Sequence, residues 1–251
     1  MPEHRAVTVE VADHVAWITL DDVERRNSLN PVLVAQLAAA CGEVGQDPEV
    51  RVAVLRANGP VFAAGGDVHA LGTPAEDPIG VYAGFRALEA LPVPVVAAVH
   101  GPTIGAGVSF VLACDVAVAA ESATFDPRFL DLAIHPGGGH LWKLEQRVGR
   151  QGVAALVLLG DTLTGRQAQE SGLVWRCVPD GGLDAEVRRL TRKVVRRAPE
   201  VVRRAKSTMR LSRAITDPRM AAEVEQIHQE WSMRQPAFTA AVADLRARLA
   251  R

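Results

Sequence analysis

Two short glycine-bearing stretches each follow an apolar run of strand type. FAAGGD at 62–67 comes after RVAVLRAN at 51–58, and GPTIGAGVSFVLACD at 101–115 comes after VPVVAAVH at 93–100. In α/β chains the loops beyond the C-terminal ends of the strands collect the ligands. Gly65, Gly66, Gly105 and Gly107 leave the backbone free to turn N–H groups toward one point. An apolar helical pattern begins near Gly107, and the positive end of its dipole favours negative charge there. The chemistry on offer is the binding of an anion or of a developing oxyanion. Neither loop is a nucleotide signature, because no Lys-Ser or Lys-Thr follows a GxxxxG run and no GxGxxG occurs. Ser109 sits one helical turn inside the second pattern.

Further along, FDPRFLDLAIHPGGGH at 125–140 gathers Asp126, Asp131, His135 and His140. Either histidine is of a type that serves as a base near neutral pH. The structural alternatives stand beside that reading: His140 caps the helix HLWKLEQRVG, His135 is a bonded loop residue, and the two aspartates are solvated. The absence of a tight HxxxH or CxxC spacing argues against a metal site.

The elements that must position these groups alternate between β and α. Residues 6–20 alternate in the β sense as two strands turning near Asp13-His14, and Pro31 opens a helix with Asn30 as a suitable N-cap. The runs at 51–58, 93–100 and 116–119 read as buried strands separated by helices, which implies parallel crossovers and an α/β layer fold. From about residue 184 the pattern is helical only, at 184–197, 199–213, 217–233 and 237–250. The expected organisation is a core over 1–183 and a C-terminal helical segment over 184–251 whose apolar faces suit oligomerisation.

Composition narrows the function classes. A chain of 251 residues, 48% hydrophobic, buries a sizeable core as one α/β domain with an appended segment. Its net charge of -1 argues against general nucleic-acid binding. A basic run from Arg188 to Arg213 reads as a solvated face or as a docking site for phosphate, and has no interleaved aromatics. The N-terminal stretch shows no basic leader ahead of an apolar run, and Cys41, Cys114 and Cys177 are scattered and odd in number. Those features point to the cytoplasm, with the cysteines as small buried residues.

The motifs ERRNSLN (24–30), FAAGGD (62–67), GPTIGAGVSFVLACD (101–115), HPGGGH (135–140) and TGRQAQESGLV (164–174) resemble, in order and spacing, the enoyl-CoA hydratase/isomerase or crotonase superfamily over roughly residues 5–180. The resemblance implies a spiral of ββα units with a helical tail, a homotrimer or homohexamer, and an acyl-CoA thioester substrate with no cofactor beyond its CoA moiety. It implies an oxyanion hole formed by the N–H groups of Gly66 and Ala106, where a thioester enolate is stabilised. The two glutamates of the family's hydratases fall on Ser109 and Phe129, neither of which is acidic. Ordinary hydration is therefore not expected, and Asp131, His135 and His140 become the candidates for replacement chemistry. Arg26, with Arg25 beside it, falls where the family carries a basic residue to the CoA phosphates. Ala64 falls beside the adenine, and Lys206 on the tail that meets the 3′-phosphate. A non-catalytic acyl-CoA-binding protein, and a CoA-ester or diketone hydrolase using the 126–140 loop, are the alternatives.

Overall fold

The chain opens with the expected hairpin, β1 (Val7–Ala12) and β2 (Val15–Leu20), paired antiparallel from Val7–Leu20 to Ala12–Val15. Asp13 and His14 make its two-residue turn with φ of 50° and 65°, the left-handed pair that matches the twist of the strands. The structure, a computed structural model, describes residues 4–67 and 80–250. Asn30 caps α1 (Pro31–Gln46) as its sequence predicts, its side chain accepting from the Leu33 N–H at 3.0 Å.

Strands β3 (Val52–Ala57), β4 (Val95–Val99), β6 (Val116–Ala120) and β9 (Arg176–Val178) join the hairpin in a six-stranded sheet ordered β1-β2-β3-β4-β6-β9. All its pairings after the hairpin are parallel. A second sheet of three short strands, β5 (Pro102–Ile104), β7 (Thr124–Asp126) and β8 (Leu163–Thr164), is ordered β5-β7-β8. From β4 to β7 the strands alternate between the two sheets. β4 leads to β5 and then α3 (Gly107–Ala113); β6 leads to β7 and, after a turn, α4 (His140–Val153). The α/β class and this ββα winding match the sequence-based expectation. The second sheet was not visible in it, because strands of two or three residues are too short to show a period of two.

The large sheet is buried on both faces. On one lie α1, α2 (Ala83–Ala90) and α3, with Phe62, Phe85, Phe110 and Phe125 among the buried side chains. On the other, Trp17, Val54, Val96 and Val118 pack with Val187 of α6 (Leu183–Val194). The first compact unit accordingly runs to Val195 and the second begins at Arg196. Helix α6, assigned by pattern to the tail, belongs with the core because its apolar stripe has the sheet to cover. Helix α5 (Gly165–Glu170) begins with a capping box of Thr164 and Gln167.

The second unit contains α7 (Pro199–Ser212), α8 (Pro218–Met233) and α9 (Pro236–Leu249). Within it the Arg204 guanidinium stacks 4.2 Å from the Trp231 ring centre and Thr208 is hydrogen-bonded to His228. Among the described residues no helix is long and apolar enough to cross a membrane.

Candidate active site

Three loops meet at the C-terminal ends of β2, β3 and β4. The residues after β3 run alongside β5: Phe62 N donates to Pro102 O at 3.0 Å, Ile104 N donates to Ala63 O at 2.9 Å, and Ala63 bridges Thr103. The turn before α1 holds the same segment from the other side, with Ala64 N donating to Arg26 O at 3.0 Å and Leu29 N to Gly65 O at 2.7 Å. Gly65 has φ +86°, and a Cβ there would lie 2.7 Å from Ile104 O and 3.4 Å from Ala106 N. The backbones of the two glycine loops are thus in direct contact. Among the described residues neither Gly66 N nor Ala106 N donates to any acceptor.

The turn itself is over-determined. Arg26 and Asn27 both take φ of 53°, a conformation that asparagine tolerates better than most residues. Buried Asn27 accepts from Asp22 N at 2.9 Å and donates to Asn58 O at 3.0 Å and Val61 O at 2.9 Å. It clamps the turn to the loop that leads into FAAGGD. Asn27 lies within the ERRNSLN motif, but no role for it follows from the sequence. Its only sequence signal is a polar residue capable of the left-handed region beside an arginine. The buried Asp22 carboxylate binds the Asn30 amide at 2.7 Å.

Ser109 lies on α3 three residues after Ala106, on the same face of the helix, and its N–H donates to Ala106 O at 3.0 Å. Its hydroxyl is 2.9 Å from His140 Nδ1, and both residues are buried. The Phe129 ring meets the same imidazole edge-on, centres 4.8 Å apart at 66°. Both positions at which the sequence lacks the expected carboxylate therefore converge on one histidine. Burial first, and the Lys143 ammonium second, lower the His140 pKa from its ordinary 6.5 to about 4, so the ring is neutral near pH 7. Its other nitrogen, Nε2, has no hydrogen-bond partner among the described residues. Lys143, which sequence reasoning passed over, donates to Gly138 O at 3.1 Å and pairs with Glu89.

The remaining candidates separate from this cluster. His140 does not cap α4: Gly139 takes that position with φ 78°, and the histidine side chain turns instead to Ser109. His135 is exposed and bonded to Pro136 O at 2.7 Å, and Asp131 is exposed on a single turn at 130–132. Asp126 pairs with Arg128 rather than standing solvated, and its backbone carbonyl accepts from Gly105 N at 2.7 Å. Arg25 and Arg26 are exposed beside the Ala64 segment, with Arg25 reaching Asp22 at 3.4 Å. Lys206 lies on α7 of the second unit, its side chain buried. Among the described residues no group of three or more His, Cys, Asp or Glu side chains is placed to hold a metal ion.

A sequence model of the family described as enoyl-CoA hydratase/isomerase matches residues 10–241. The chain belongs to that family. It is 35% identical to the Mycobacterium tuberculosis protein named "Probable enoyl-CoA hydratase EchA14", over 97% of this chain and 98% of that one. It is 36% identical to the 1,2-epoxyphenylacetyl-CoA isomerase of Escherichia coli over 71% of each. Its fold superposes on the crystal structure of an enoyl-CoA hydratase from Bacillus anthracis with a TM-score of 0.91, at 26% identity and 97% coverage of both chains. In this enoyl-CoA hydratase/isomerase family member, Gly66 and Ala106, whose N–H groups donate to no acceptor among the described residues, lie on the two glycine loops.

Proposed function

We propose that this chain acts on an acyl-CoA thioester by stabilising an enolate whose oxygen is held by Gly66 N–H and Ala106 N–H. The observation that supports this most directly is the contact of the two glycine loops with both donors left without an acceptor among the described residues. An enolate carries its negative charge largely on the thioester oxygen. Donors already fixed by Asn27, β5 and α3 receive the charge without reorganising, which is worth about 3–4 kcal/mol per donor. Arg25, Arg26 and Ala64 lie on the CoA side in this reading.

Hydration through two carboxylates is not the reaction this site supports. A hydroxyl at Ser109 and a phenyl ring at Phe129 do not take up a proton near neutral pH. Asp131 and His135 are exposed, which leaves His140 as the titratable side chain in contact with both positions. We place the protein in the cytoplasm, where its three free cysteines stay reduced, as a homotrimer or homohexamer.

Product analysis with a panel of enoyl-, dienoyl- and saturated acyl-CoA esters tests the reading, together with thermal unfolding in their presence. Thioesters are expected to raise the melting temperature by mass action and at least one to be converted. Binding without conversion would identify a carrier, and release of free CoA a hydrolase. No thermal shift with any thioester at millimolar concentration would overturn the assignment.

A further inference from the structure

The Ser109–His140 pair has an unequal hydrogen-bond balance that points to what the acyl group carries. A neutral imidazole donates from one nitrogen and accepts at the other. If Nδ1–H donated to Ser109 Oγ, the serine proton and the Nε2 lone pair would both stand without partners. If Ser109 O–H donates to Nδ1, the serine proton and the Nδ1 lone pair are both satisfied and a single donor, Nε2–H, is left over. The second arrangement leaves fewer buried polar groups unpaired, and the 2.9 Å Oγ–Nδ1 distance suits it. His140 is only 1% exposed, and Nε2 has no hydrogen-bond partner among the described residues.

That leftover donor is rigidly presented. The bond from Ser109, the Phe129 ring, and Gly138 and Gly139 at φ 65° and 78° just before the histidine together hold the imidazole in place. In the acyl-CoA reading it also adjoins the path of the acyl chain. Ala106 and Ser109 share one face of α3, and in the same reading Arg25, Arg26 and Ala64 meet the CoA end of the thioester. The acyl carbons then extend from the Ala106 N–H toward Ser109 and His140.

We propose that His140 Nε2–H is a specificity element that selects acyl-CoA thioesters bearing a second, uncharged acceptor oxygen on the acyl chain, of the 3-oxoacyl class. A hydrocarbon chain would leave the donor buried and unpaired. A carboxylate would enter a neutral pocket in which the Lys143 ammonium is already paired with Glu89, and burying it there is costly. A ketone oxygen supplies the one acceptor needed and adds no charge. The inference rests on the acyl-CoA reading of the site.

Calorimetric titration of the full-length protein with butyryl-CoA, 3-oxobutyryl-CoA and malonyl-CoA separates the possibilities. The 3-oxo thioester is expected to bind roughly 5- to 150-fold more tightly than butyryl-CoA, the range that goes with satisfying one buried donor. The ratio should fall to near one in His140→Phe and recover in part in His140→Gln, whose amide N–H reaches about as far as Nε2. If His140→Phe fails to fold, Ser109→Ala gives the same reading, since it frees the imidazole from its bond and should shrink the ratio. Equal affinities in the wild type would overturn the inference while leaving the acyl-CoA assignment intact. A preference that survives all the substitutions would remove His140 from the selection, and tightest binding of malonyl-CoA would replace a ketone by an anion. Failure of all three thioesters to bind would instead overturn the acyl-CoA reading itself.

Discussion

Adding one methyl group at Gly65 should uncouple the two glycine loops. Its Cβ would lie 2.7 Å from Ile104 O, short of ordinary contact at 3.4 Å by about 0.7 Å. The backbone at φ +86° adds about 1–2 kcal/mol for an L-residue with a side chain. Ile104 has little freedom to retreat, because its N–H is bonded to Ala63 O at 2.9 Å and it is paired with Asp126 in β5–β7. Whatever displacement it makes is passed to Ala106 two residues later, moving one of the two proposed donors by a similar fraction of an ångström. Loss of an oxyanion donor costs about 10²- to 10³-fold in kcat, and a partial misplacement should cost about 10- to 100-fold. The stability loss should be roughly 1–3 kcal/mol, a fall in Tm of about 3–10 °C. Gly105→Ala is the control: its φ is +52° but a Cβ there meets nothing within 4 Å, so it carries the conformational penalty without the clash. The assay is turnover of the best thioester from the panel, with thermal unfolding of both variants. Wild-type kcat in Gly65→Ala, or an equal loss in the two variants, would refute the steric coupling of the loops.

Two further outcomes follow from the histidine. Because the folded state holds the His140 pKa at about 4 while the unfolded chain has the ordinary 6.5, only the unfolded chain takes up the proton between those values. This residue's influence is therefore nil above pH 6.5, and stability is lost as pH falls toward 4, by up to roughly 3 kcal/mol. In His140→Gln that part of the slope should vanish, which denaturant midpoints measured at about pH 7.5 and about pH 4.5 will show. Separately, Ser109→Glu combined with Phe129→Glu should raise hydration of crotonyl-CoA by more than the two single changes multiplied together, since paired carboxylates act as a unit. Loss of enoyl-thioester absorbance follows it, and wild-type hydration already at the rate of a two-glutamate enzyme would contradict the claim that positions 109 and 129 are silent.

Much of this molecule is decided within a few residues of chain. Asn30 ahead of Pro31, the alternation through Val7–Leu20 with Asp13-His14 between, and the apolar runs that became β3, β4 and β6 each contain their own instruction, because caps, turns and long strands depend on neighbouring residues. So do the two glycine loops, whose composition alone pointed to backbone donors. The three-stranded sheet was silent because β5, β7 and β8 have too few residues for a period and exist only through pairing across the fold. Helix α6 was readable as a helix but not as part of the core, since nothing local says which sheet its apolar stripe will cover. The site divides in the same way. Gly66 and Ala106 were expected as donors from the family resemblance of the motifs that contain them, whereas the bond between Ser109 and His140 joins residues 31 apart in sequence. That bond, the edge of Phe129 on the same ring and the orphaned Nε2 arise from packing α3 against the start of α4. Residue types foretold that a histidine was available, but only the tertiary structure decided that it would be buried, neutral and left with one unpaired nitrogen.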